Sequence, residues 1–172
     1  MKTPDETTKA IFRASRDGDA SRLLSLIGTS QARLHTETPF GTPLHMSAAN
    51  GNLLLVKALI DLGADINRKG GTFGGTAINE AASKGHLEVV KCLLDHQADL
   101  DTTEPERNPL FGAIYNGNLE IVKLLLSAGI DPTVRYSGEY MTNMDALDFA
   151  IERGQTSIAE FLRTLSPKSG YE

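Results

Sequence analysis

Residues 76–94 read T-A-I-N-E-A-A-S-K-G-H-L-E-V-V-K-C-L-L, and four other stretches repeat that pattern. A short helix with Ala81 and Ala82 on one face runs to Gly85, and an apolar helix carrying Val89, Val90, Leu93 and Leu94 follows. Aligned on that glycine, the copies fall at Gly18, Gly51, Gly85, Gly117 and Gly154, at spacings of 33, 34, 32 and 37 residues. A period near 33 marks a stacked solenoid, in which no unit can bury its apolar face alone and each leans on its neighbours. In a chain of 172 residues the period predicts one array and no second domain.

The totals narrow the function classes. An apolar content of 40% and a charged content of 23% belong to an ordinary folded protein, neither disordered nor membrane-embedded. With 6% aromatic residues and no Trp, the core is expected to be aliphatic and alanine-rich, as thin layers require. A net charge of -5 argues against a nucleic-acid partner, whose phosphates need clustered Lys and Arg. One cysteine, Cys92, excludes an internal disulfide framework and a Cys-rich zinc site. The first ten residues lack the apolar core of a secretory signal, and no run approaches the ~18 apolar residues of a membrane span. These features predict a cytoplasmic protein without a membrane partner; the further expectations are no cofactor, no small-molecule substrate and a free chain that is monomeric.

Taken in order, the first copy (residues 9–27) is degenerate. Ala14 and Ser15 hold the small pair, while Arg13, Arg16, Lys9 and Asp5 give the polar outer surface that an end repeat needs. The second, T-P-L-H-M-S-A-A-N-G-N from Thr42, shows the design most fully. Thr42 is suited to cap the helix, Pro43 to open it, and Ser47 and Ala48 to let adjacent helices approach. Leu53, Val56, Leu59 and Ile60 line the second helix, and Gly63 is its expected left-handed terminator. The third copy puts Asn79 where the second has His45, and Gln97 where the second and fourth have Gly63 and Gly129. The fourth opens on Asn108-Pro109, and the fifth on Asp145 with Asp148 as a capping box.

This T-P-L-H motif, together with five registers sharing the glycine, the small pair and the leucines, resembles the ankyrin repeat over nearly the whole chain. The resemblance implies an all-α ankyrin-repeat solenoid of five stacked helix-turn-helix repeats with protruding loop or hairpin fingers. Its repeats fall at about 9–35 as an N-terminal cap, 36–69, 70–102, 103–135 and 136–166 as a C-terminal cap, with 167–172 as a frayed tail. It also implies no catalytic residues and a folded protein partner held on the concave face. The residues preceding each glycine would then face the groove: Arg16-Asp17, Ala49-Asn50, Ser83-Lys84, Tyr115-Asn116 and Glu152-Arg153.

Four segments break the pattern, at 29–41, 68–75, 102–107 and 133–144, and breaks in a repeat array are where recognition is usually placed. The last carries Arg135, Tyr136, Tyr140 and Met141, residue types enriched in interface hot spots. The alternative is that its tyrosines cover the flank of the last repeat. The second finger sets Phe73 among four glycines beside Arg68 and Lys69, either presented to a partner or folded back over the next finger. Those glycines lack the Gly-Lys-Ser/Thr of a phosphate loop. Mixed charge from Lys84, Glu104, Glu106, Arg107, Glu152 and Arg153 predicts orientation of the partner by paired charges. His45 is expected to bond neighbouring turns, and Cys92 to act as a small hydrophobe rather than a nucleophile with His86 or His96. Lys57, Lys91 and Lys123 recur at one position and are expected to form a solvated ridge.

Members of the resembled family include bacterial immunity proteins that neutralise toxins. A stand-alone array would most simply act by occluding a partner's working surface. The alternative is an adaptor or targeting scaffold joining two proteins.

Overall fold

The computed structural model describes residues 5–71, 73–138 and 141–165. Five helix pairs follow one another along the chain: α1 (Glu6–Asp17) with α2 (Ala20–Ile27), α4 (Pro43–Ala49) with α5 (Leu53–Asp61), and α6 (Ala77–Lys84) with α7 (Leu87–Asp95). Then come α8 (Pro109–Tyr115) with α9 (Leu119–Ser127), and α10 (Ala146–Glu152) with α11 (Thr156–Leu165). A one-turn helix, α3 (Gln31–Leu34), follows the first pair and packs on α2. Helices α1, α4, α6, α8 and α10 stack as an inner layer, and α5, α7, α9 and α11 pack in sequence as an outer one.

The small pairs are what permit the inner layer. Ala14, Ala48, Ala81, Ala82, Ala113 and Ala150 are buried where successive inner helices meet, and leucines or isoleucines from both layers close the space behind them. Gly112, at 3.2 Å from Ser83 Cβ for a hypothetical side chain of its own, shows how near α8 and α6 come.

The turn within each pair carries a second device. The residue after each period glycine but the first donates to a carbonyl near the end of the preceding inner helix: Asn52 to Gly18 (3.5 Å), His86 to Ala49 (2.9 Å), Asn118 to Ala82 (3.4 Å) and Gln155 to Tyr115 (3.3 Å). A side chain at Gly51 would lie 2.5 Å from His86 Nδ1, so the glycine supplies room for the latch as well as its φ of 69°.

The fingers vary. The first and second close through single backbone bridges, Thr38 with Gly41 and Gly70 with Gly75. The fourth is a hairpin, β1 (Tyr136–Gly138) antiparallel to β2 (Met141–Met144), which explains the widened last spacing. Tyr140 and the tail 167–172 lie outside the described residues.

After α7 the expected strain is present. Gln97 adopts φ 61°, where Gly63 and Gly129 adopt 89° and 96°. Replacing Gln97 by Gly should therefore raise stability by roughly 1 kcal/mol, seen as a higher urea midpoint at unchanged slope.

Candidate functional site

One groove of about 900 Å³ runs along the inner helices and beneath the fingers. It begins at Phe12 and Arg16 on α1 and ends at Phe149 and Arg153 on α10, so it crosses all five repeats. Two columns of the repeat build its floor. The position five before each period glycine contributes Met46, Glu80, Gly112 and Phe149, and the positions one or two before it contribute Ala49, Asn50, Ser83, Lys84, Tyr115, Asn116 and Arg153. These share a face because residues three and four apart on a helix are neighbours.

Aromatic exposure is concentrated here. Phe40 (56% exposed), Phe73 (66%) and Tyr115 (56%) are the three exposed aromatic residues among those described, and all line the groove. Phe12 stacks on Phe40 with centroids 5.7 Å apart. At the other end the Arg153 guanidinium lies 5.0 Å from the Tyr115 ring centroid and 5.1 Å from that of Phe149, so its stem and plane are held by cation–π contact.

Of the residues singled out from sequence, Phe73, Lys84, Glu106, Tyr115, Asn116, Met141 and Arg153 line this groove. Arg68 pairs with Glu37 and Lys69 with Asp101 at 2.6 Å, tying neighbouring finger bases to one another, while Arg107 pairs with Glu104 at 3.1 Å within the third finger. Lys69 and Thr103 together hold the Asp101 carboxyl far below the usual range. Arg135 bonds Asp145, Asp148 and the Asn143 carbonyl, clamping the hairpin to α10. Glu152 is exposed but is not among the groove's lining residues.

Tyr136 corrects the sequence expectation. It is 8% exposed, its ring meets Phe111 edge-on at 5.0 Å, and its hydroxyl donates to the Thr102 carbonyl (2.6 Å) while accepting from Asn108 Nδ2 (3.1 Å). The reason lies in the repeat. In the second copy His45 Nδ1 accepts from the Thr42 N–H (3.2 Å) and Nε2 donates to Gly75 O (3.3 Å), joining the helix start to the next finger. Asn79 does the same between the Thr76 N–H and the Arg107 carbonyl. The fourth copy has Phe111 at that position, which can bond nothing, and Tyr136 reaches back to make the link. His45 is thus the structural residue expected, and burial holds its pKa below the ordinary histidine value.

Cys92 is buried, and burial pushes its thiol up, against nucleophilic use. His96 Nδ1 is engaged with the Cys92 carbonyl at 2.7 Å. Lys57, Lys91 and Lys123 are exposed, the last two paired with Glu88 and Glu120.

Sequence reasoning passed over Phe12, Phe40 and Glu80. Glu80 sits one turn before the groove-facing Ser83-Lys84, and that spacing was the available signal. Its burial raises the carboxyl above the ordinary glutamate value, moderated by the Lys84 charge.

Models of ankyrin repeats match residues 11–103, 44–136 and 110–163. The chain belongs to the ankyrin-repeat family. Ankyrin repeats are protein-interaction modules, typically without catalytic activity. This ankyrin chain is also similar to a probable E3 ubiquitin-protein ligase, XBOS33, from Oryza sativa subsp. japonica, with 41% identity over 59 residues. The match takes in 33% of this chain and 11% of the ligase. Among the described residues no helix is long and apolar enough to cross a membrane.

Two measurements check these assignments. Tyr136→Phe strands the Thr102 carbonyl and Asn108 amide, and should lower unfolding free energy by about 1–3 kcal/mol in urea titrations. For Glu80, a raised folded pKa means that its ionisation opposes folding. Stability from this group is intact below the unfolded-state pKa, falls as pH rises toward the folded one, and stays reduced above it. Denaturation of Glu80→Gln against the parent should show a stability gain at pH 7 that vanishes near pH 4.

Proposed function

We propose that this ankyrin array is a non-enzymatic module that binds one partner protein, gripping it along the inner-helix groove and the finger tips. The observation that carries the reading is the gathering of Phe40, Phe73 and Tyr115, the exposed aromatics of the described residues, on that one face. Large exposed aromatics cost solubility and are the side chains that dominate binding energy when a partner covers them. Five stacked helices at roughly 10 Å spacing present on the order of 40 Å of surface, enough for a standard interface.

The finer role is occlusion. A single continuous groove suits one partner whose working surface is covered, as an inhibitor or toxin-neutralising immunity protein would do in the cytoplasm. The similarity to a probable ubiquitin ligase favours a second reading, an adaptor that presents one protein to another.

Affinity capture from the native host tests both. The parent chain should retain one protein that Phe73→Ala and Tyr115→Ala each release by at least about tenfold, with little change in thermal midpoint. Equal retention by both variants would remove the groove from consideration. A one-to-one complex that silences the captured protein supports occlusion, whereas a stable ternary complex supports the adaptor.

A further inference from the structure

The half of the groove nearest the first finger carries a chemical asymmetry that general stickiness does not explain. Two carboxylates line the groove, Glu106 and Glu80. Glu106 is exposed on the third finger, while Glu80 is half-buried on α6, with no hydrogen bond or ion pair to its carboxylate among the described residues. Lys84, one turn along, tempers its charge without reaching ion-pair distance. A withdrawn carboxylate without a donor is costly, and the cost is recovered when a cation arrives.

The surroundings fit a cation of a particular kind. Glu80 Oε1 lies 3.2 Å, and the Phe40 carbonyl oxygen 3.7 Å, from the point where a side chain on Gly71 would begin, so the two acceptors lie close to one another against the backbone of the second finger. That carbonyl accepts no hydrogen bond among the described residues. The apolar walls are Phe12, Phe40, Met46 and Phe73. An ammonium or guanidinium group could donate to both oxygens, with its alkyl stem against the rings and its charge over their faces. At the far end, Arg153 brings positive charge and would repel the same group, whereas Arg16 at the near end is paired with Asp17.

We infer that Glu80, the Phe40 carbonyl and the Phe12–Phe40–Phe73 aromatic walls form a subsite for one Lys or Arg side chain, flanked by apolar residues, on a segment of the partner protein. The inference rests on the groove being the binding face.

The test is a displayed library of random peptides of about twelve residues, long enough when extended to span the roughly 40 Å groove, panned on the full chain. Enriched sequences should share Lys or Arg at one position between apolar residues. Replacing that Lys by norleucine in the best peptide should weaken binding about tenfold. Glu80→Gln should impose the same loss on the Lys peptide and almost none on the norleucine peptide, so that the two changes are not additive. Peptides that bind the groove without a shared cation, or a norleucine penalty undiminished in Glu80→Gln, overturn the subsite and leave groove binding standing. Peptides indifferent to Phe73→Ala and Tyr115→Ala, or no enrichment at all, overturn both.

Discussion

Everything in this molecule depends on inner helices that come close enough for side chains of one repeat to bond the backbone of the one before it. Alanine and serine at the contact make the approach possible, and the approach brings Asn52, His86, Asn118 and Gln155 within reach of the preceding carbonyls. Such carbonyls lie in the last turns of short helices, where partners within the helix run out. Close packing and polar satisfaction are therefore one constraint. A larger residue at Ala81 or Ala113 would separate the layers and break the bonds together.

The groove follows from the same stacking. Because each inner helix presents the same positions at the same height, a residue five before the glycine and those just before it fall into columns that cross the array. Single repeats carry no site; the aromatic lining exists only because Phe12, Phe40 and Phe73, from three successive units, face one groove. Charge is distributed over the columns as well, with Glu80 on the central inner helix and Arg153 on the last.

Much of the fold was legible because the period is a physical requirement of stacking and shows in the sequence directly. The glycine register, the small pairs, the left-handed Gln97 and the structural His45 could all be read from residue type and spacing. The site was legible only in its repeated part. Tyr115, Lys84 and Arg153 follow from the register, but Phe40 stands on an irregular finger whose direction no local rule sets. Tyr136 misled for a definite reason: its burial depends on Phe111, 25 positions earlier, lacking the polar group that His45 and Asn79 supply. Sequence types show that a tyrosine suits an interface; they do not show that a distant unmade hydrogen bond will claim it.

The backward direction of the four latches has a consequence for how the chain comes into being. Each donor belongs to the later unit and each acceptor to the earlier one, so a helix leaving the ribosome waits for 34 to 40 more residues before its end is tied. Assembly is vectorial in that respect, and the newest unit is always the loosest. A chain cut short behind any of these glycines would expose untied carbonyls at its growing edge, whereas one shortened from the front would lose acceptors and leave the remaining ties intact.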